Sequence, residues 1–263
     1  MIKLKDDLGA PILLTSKPQR IISLVPSLTE TLIDAGLKSL LAGITKFCVH
    51  PKELPKEIKI IGGTKNPRIN DILNLKPDLV FANKEENRAE DINELKKFTQ
   101  VYVTDIKNNQ DILDFFHMLN VVFKTDACFE LLQKLQNIPI YPQRKKIPTC
   151  YLIWKDPWMT IGKDTFIHSM MEKYGFQNIC SDSDRYPIIS FKQIKAHQTK
   201  IVMMSSEPYP FKEKEKEELL KLLPGMSVIM VDGEMFSWYG SRLLLADTYL
   251  NNLYFNLLKE VKF

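Results

Sequence analysis

Three tryptophans stand in this chain, at 154, 158 and 238, and two of them flank Lys155-Asp156-Pro157. Indoles at that spacing on a loop offer stiff apolar walls to a planar ring system; the alternative is that one of them plugs a core. Trp238 and Tyr239 precede Gly240-Ser241-Arg242 at the start of an apolar periodic stretch. A helix start there presents unpaired N–H groups to an anion, and Arg242 adds a fixed charge, unless that arginine pairs with a lobe carboxylate. Glu85-Glu86-Asn87-Arg88 follows an apolar run and has the donors and acceptors to meet ligand amides. It reads equally as a solvated helix start whose acids favour the dipole. Phe47, His50 and Lys65, then Arg185-Tyr186 and Glu207-Pro208-Tyr209, fall in loops of the same kind. His50 also fits an ordinary surface histidine, and Lys212 to Glu218 reads as a solvated helix face.

Enzyme chemistry finds little footing. Gly62-Gly63 lacks the Gly-x-Gly-x-x-Gly spacing of a dinucleotide turn, and neither a Walker A sequence nor a Gly-x-Ser-x-Gly elbow occurs. The four histidines (His50, His117, His168, His197) have no paired spacing, so a protein-built metal centre is hard to assemble. No catalytic residue and no built-in cofactor is expected. A metal would arrive inside the ligand.

The elements that must position these loops alternate. Arg20 to Val25 is a continuous apolar run, as in a strand buried on both faces of a parallel sheet. Ser27 and Glu30 have capping-box spacing for a helix ending at Gly36. Strands are predicted over 40–45, 78–82 and 101–103, with helices over 69–75 and 90–98, the rhythm of a parallel α/β layer. From Asp111 to Gln136 apolar residues recur at three and four residue steps with no strand between, which fits one continuous helix of about 25 residues, or about 38 Å. After a basic, proline-rich break the rhythm resumes, with strands over 149–154, 201–204 and 228–231. Helices are predicted over 166–174, 213–223 and 241–258. The domain reading is an N-terminal α/β lobe over 1–106, a linker helix over 107–138 and a C-terminal α/β lobe over 139–263.

The whole-chain figures agree with a soluble globular protein. Its 263 residues are 44% hydrophobic and 26% charged, with a net charge of +4 spread along the sequence. A phosphate-tracking surface needs clustered basic residues, so nucleic acid is not expected, nor is a membrane span. Asp6 and Asp7 interrupt any apolar stretch after the first lysines, so the chain as given reads as cytoplasmic, or as an envelope protein if its true start lies upstream. Cys48, Cys128, Cys150 and Cys180 are widely separated and fit buried free thiols in a reducing compartment.

Arg20-Ile21-Ile22-Ser23-Leu24-Val25-Pro26-Ser27-Leu28-Thr29-Glu30 resembles the opening of the helical-backbone substrate-binding proteins of cobalamin and ferric-siderophore ABC transporters. Leu75-Lys76-Pro77-Asp78-Leu79-Val80 is similar to that family's entry into a strand. Gly63 to Pro67, Glu85 to Arg88, Trp154 to Trp158, Asp184 to Pro187 and Glu207 to Phe211 resemble a cobalamin-binding-protein-like subgroup that often has no secretion signal. The resemblance spans about residues 6 to 258.

It implies two Rossmann-like lobes bridged by one long, rigid helix, small opening motions, and a corrinoid or similar metal complex held in the interlobe cleft of a non-catalytic monomer. A ferric siderophore or haem is the alternative ligand, and an intracellular sensor or small-metabolite enzyme on the same scaffold is the second. Phe47 and His50 match positions where the cobalamin-binding relatives place tyrosines against the corrin, and Thr64 replaces their N-lobe tryptophan. Those relatives also turn one exposed glutamate of each lobe toward an ABC permease. Asn70 and Ser237 occupy these positions here, so any permease contact would fall to the neighbouring Asp71 and Glu234.

Overall fold

The computed structural model describes residues 1–55 and 57–260. The chain divides into two units. The first comprises Met1–Ile106, Gln110–Asn137 and Tyr239–Arg242; of the described residues, the second comprises Lys107–Asn109, Ile138–Trp238 and 243–260.

Unit 1 opens with a hairpin of β1 (Ile2–Lys5) and β2 (Pro11–Leu14), paired antiparallel from Ile2 opposite Leu14 to Lys5 opposite Pro11. The buried Asp6 carboxylate shapes its turn by accepting from the backbone N–H of Leu8 and Ala10 at 3.1 and 2.7 Å. The first of these strands lies outside the sequence expectation. A five-stranded parallel sheet follows, built from β3 (Ile21–Ser23), β4 (Leu41–Ile44), β5 (Lys59–Ile60), β6 (Leu79–Asn83) and β7 (Gln100–Thr104) in the order β5-β4-β3-β6-β7. β3 and β6 are central and buried at every position, which is why their sequences are continuous apolar runs. Val80 and Ala82 join a core cluster on one face with Ile22, Ile72, Ile92 and Val101. Phe81, between them in sequence, meets Phe115 edge-on at 6.1 Å on the other.

The Leu-Lys-Pro-Asp motif has a structural reason. Lys76 takes φ 47 ahead of Pro77, a position the proline ring bars from the ordinary helical region. One Asp78 carboxylate oxygen then accepts from the N–H of Gln19 and Arg20 at 2.7 and 2.8 Å, registering β6 against β3.

The helices of unit 1 are α1 (Pro26–Leu32), α2 (Ile69–Asn74), α3 (Ala89–Lys96), α4 (Asn109–Phe123), whose first residue groups with unit 2, and α5 (Asp126–Gln136). Two expectations change here. The capping box at Ser27 and Glu30 does not form: the cap is Val25, Pro26 takes the first turn, and Ser27 is buried inside the helix. Nor is the apolar stretch 111–136 one helix. Lys124 takes φ 53 and Thr125 caps a new helix, accepting from the N–H of Cys128 at 3.2 Å while its own hydroxyl donates to the Ala35 carbonyl at 2.6 Å. The apolar spacing runs through the break because both helices bury the same kind of face.

Unit 2 holds a four-stranded parallel sheet of β8 (Ile147–Leu152), β9 (Phe176–Asn178), β10 (Ile201–Ser205) and β11 (Ser227–Val231) in the order β11-β10-β8-β9. Its helices are α6 (Phe166–Tyr174), α7 (Phe191–Ala196), α8 (Glu213–Leu222), α9 (Glu234–Ser237) and α10 (Leu243–Glu260). Gly175 ends α6 with φ 91, and a Cβ there would lie 2.7 Å from the Tyr254 ring. Strand β9 and helix α7, with its Ser190–Gln193 capping box, also lie outside the sequence expectation. The last helix begins at Leu243 rather than Ser241.

Candidate functional site

Parallel strands end on a common edge, and the loops leaving that edge carry nearly all of the candidate residues. The edge of unit 1 is knitted together by two asparagines. Asn83 ends β6 with its amide donating to the carbonyl and hydroxyl of Thr104 at 3.2 and 3.0 Å, while its oxygen accepts from the N–H of Glu85 and Glu86. Asn87 accepts from the Asn83 N–H at 2.8 Å and donates to the carbonyls of Thr64 at 2.9 Å and Leu24 at 3.3 Å. Both are buried, so each bond replaces water that cannot reach it. Three strand-end loops are thereby fixed to one another, and Lys65 adds a bond to the Glu85 carbonyl.

Thr64 therefore contributes a backbone carbonyl to this network and is half-buried, while Glu86 is exposed. Phe47 is 49% exposed on the loop after β4, with the Lys46 ammonium 5.0 Å from its ring centre, and His50 nearby is half-buried. Arg88 turns away to grip Asp91 at 2.9 and 3.1 Å. Asp71 pairs with Arg68 at the start of α2.

Tyr239–Arg242 also belongs to unit 1. Arg242 is only 5% exposed and holds Glu30 through two bonds at 2.8 and 2.7 Å. Gly240, at φ 98, lies so close to α1 that a Cβ would meet the Thr31 hydroxyl at 1.9 Å, and the Ser241 N–H donates to that hydroxyl at 3.1 Å. Tyr239 is buried beside them. Of the two readings of Arg242, the structure places the guanidinium in the ion pair, so its charge is already balanced.

The edge of unit 2 is aromatic. β8 and β10 are neighbours, with Leu152 opposite Met204, so the loops after them lie side by side. Trp154 is 41% exposed and meets the half-buried Tyr209 edge-on at 5.5 Å. Tyr209 contacts Phe211 at 4.7 Å, and Phe211 lies parallel to Trp158 at 5.9 Å. Trp158 and Tyr209 pack on the core cluster of Cys150, Leu152, Val202 and Met204. The two indoles thus differ: Trp158 closes the core and Trp154 faces out. Arg185, at φ 57, lies 5.6 Å over the Tyr186 ring on a separate loop held by the Asp164 carboxylate.

Glu207 completes this edge. One of its oxygens accepts both from the Ser237 hydroxyl at 2.7 Å and from the Trp238 indole N–H at 3.0 Å. Burial raises its pKa above the ordinary carboxylate value; those two hydrogen bonds oppose the shift, and the Glu234 and Asp232 charges add to it. Glu234 itself is half-buried at the start of α9. Asn83 lies outside the candidate residues drawn from sequence, whereas Asn87 and Glu207 stand inside the Glu85–Arg88 and Glu207–Phe211 motifs with no role of their own assigned there. Their signal is a polar residue closing an apolar strand run, at Asn83 and again at Ser205-Ser206-Glu207. Among the described residues no three His, Cys, Asp or Glu side chains converge to hold a metal ion, and no helix is long and apolar enough to cross a membrane.

The sequence profile of the periplasmic binding protein family matches residues 21–224, which takes in all of the edge loops described above except the segment from 232 to 242. The chain belongs to the periplasmic binding protein family. Among its relatives is the vitamin B12-binding protein of Vibrio cholerae serotype O1, 28% identical over 204 residues that make up 73% of each chain. The solved structure of the periplasmic vitamin B12 binding protein of Vibrio cholerae superposes with a TM-score of 0.74 at 22% identity, covering 92% of this chain and 98% of that one. The periplasmic catecholate-siderophore binding protein of the same species superposes with a TM-score of 0.76 at 17% identity, covering 97% and 99%. At such identities the two structures establish a shared fold. The split into two parallel-sheet units, with candidate loops gathered at the strand ends, is the architecture of this family of binding proteins.

Proposed function

We propose that the protein is a non-catalytic binding protein for a corrinoid or a closely similar metal complex, serving an ABC uptake system, with the metal brought in by the ligand. The observation that carries this reading is the outward-facing Trp154, braced edge-on by Tyr209 at the end of the central strands of unit 2. A braced indole loses little freedom on binding and buries a large apolar area against a flat macrocycle. The naming of relatives as vitamin B12-binding proteins points the same way. Any permease contact would use exposed acids, and Asp71 is exposed at the start of α2 although Arg68 already pairs with it.

The test is a titration of the purified protein with cyanocobalamin, dicyanocobinamide, haemin and a ferric catecholate, read by tryptophan fluorescence and by thermal shift. Saturable quenching and a raised Tm with a corrinoid, stronger than with the other complexes, is the expected result. Tighter binding of the ferric catecholate or of haemin would replace the corrinoid as the ligand.

A further inference from the structure

The basic side chains around the strand ends are largely committed. Lys65 bonds the Glu85 carbonyl, Lys84 pairs with Asp105 at 2.8 Å, Arg88 with Asp91 at 2.9 Å, and Arg242 with Glu30 at 2.7 Å. Lys46 lies over the Phe47 ring. In unit 2, Lys155 pairs with Glu218 and Lys163 with Asp184. Glu207 is the opposite case: among the described residues no cation pairs with it. Both of its side-chain hydrogen bonds converge on a single oxygen, which leaves the second oxygen as an acceptor.

The carboxylate is also held in place. Gly233, after β11, approaches so closely that a Cβ would fall 2.7 Å from the Glu207 Cγ and 2.4 Å from the Ser205 hydroxyl. The Ser237 and Trp238 donors fix one of its oxygens, and Tyr209, two residues on, carries the Trp154 contact. A fixed, half-buried carboxylate with one open oxygen therefore stands two residues along the chain from the ring that braces the exposed indole.

We infer that Glu207 is the specificity-determining residue of this face: its open oxygen accepts a hydrogen bond from a neutral amide or cationic N–H group of the ligand and disfavours ligands that bring a carboxylate or catecholate to that point. A charged acceptor makes a stronger bond than a neutral one, whereas like charge in a poorly hydrated site is repelled with little screening. The inference rests on the reading of the face as a metal-complex site, and it narrows the ligand class to complexes with an amide-bearing rim. The neighbouring acids Asp232 and Glu234 deepen the same negative potential.

Dicyanocobinamide and dicyanocobyrinic acid share one corrin, the first carrying its peripheral groups as amides and the second as free acids. Titrated into the wild type, the amide form is expected to bind at least about tenfold more tightly. In Glu207→Gln, which keeps an acceptor for Ser237 and Trp238, that preference should shrink to about threefold or less, chiefly through tighter binding of the acid. Equal binding of the two corrins to the wild type, or an unchanged ratio in a Glu207→Gln protein with native circular dichroism, overturns the inference while the corrinoid reading stands. If neither corrin binds and haemin does, both fall, because the ligand that binds then carries carboxylates.

Discussion

The strand-end edges of the two units both belong to parallel sheets and differ in chemistry. In unit 1 the edge is closed by polar side chains: Asn83 and Asn87 tie three loops together, and Arg242 is locked to Glu30. In unit 2 it is open and aromatic, with Trp154 facing out and Glu207 partly unsatisfied. A five-stranded parallel sheet carries a rigid polar frame in unit 1, and a four-stranded one carries apolar area and an uncompensated charge in unit 2. The difference teaches where substitutions should be felt. Changes on the unit 1 edge should register as stability, and changes on the unit 2 edge should divide between stability and binding according to burial.

The sharpest way to break this contrast is to cut the Glu30–Arg242 pair. Removing one partner of a buried ion pair strands the other charge, and the effect is about 3–5 kcal/mol. Glu30→Gln leaves the Arg242 guanidinium, 5% exposed, with a neutral partner. For a chain of this size the loss should appear as a fall in Tm of at least about 6 °C. Replacing both residues with apolar ones, as in Glu30→Leu with Arg242→Met, should recover part of it, because neither charge is then buried alone. A single variant that melts within 2 °C of wild type, on the order of 1 kcal/mol or less, would show that the pair does not hold this edge.

Much of the frame is legible in the chain because burial on both faces writes itself as uninterrupted apolar runs, as at Ile21–Ile22 and Leu79–Ala82. The helix break at Lys124 is not, since neither glycine nor proline marks it and the periodicity continues beyond it. Long-range choices are hidden for a different reason. Whether Arg242 meets a ligand or Glu30 depends on a partner 212 residues away. Nor does the sequence distinguish Trp154 from Trp158, which are the same residue type four positions apart. Phe211, from the loop after β10, and Phe191, the first residue of α7, decide which indole is covered. Asn83 is marked only as the polar residue that closes an apolar run, and the motifs holding Asn87 and Glu207 do not reveal which loops those side chains tie together.

That pair of tryptophans gives the second test. Trp158→Ala should remove packing from the unit 2 core and cost about 2–3 kcal/mol of stability, somewhat below the full range for large aromatic truncations because the ring is half-buried. Trp154→Ala should leave Tm nearly unchanged and instead weaken ligand binding about thirtyfold, on the order of 2 kcal/mol. Chemical denaturation of both variants, beside titration of the ligand found by the screen, separates the two roles. A reversal, with Trp154 governing stability and Trp158 only affinity, would contradict the packing.

The smallest expected effect sharpens the contrast through pH. Burial raises the Glu207 pKa above its unfolded value, against the hydrogen bonds from Ser237 and Trp238 and with help from Glu234 and Asp232. A carboxyl group whose folded pKa is raised holds its proton more tightly in the native state. Its stabilising contribution is therefore complete below the ordinary glutamate pKa of about 4.3 and is lost as pH rises through the higher folded value. Glu207→Gln stays neutral and escapes that loss while keeping an oxygen for the two donors. The Tm of the variant minus that of the wild type should accordingly be lowest near pH 4 and climb as the wild-type carboxyl ionises, before levelling off toward neutrality. A difference that falls with rising pH for Glu207→Gln would mean that the hydrogen bonds from Ser237 and Trp238 outweigh burial and that the carboxylate is stabilised where it sits.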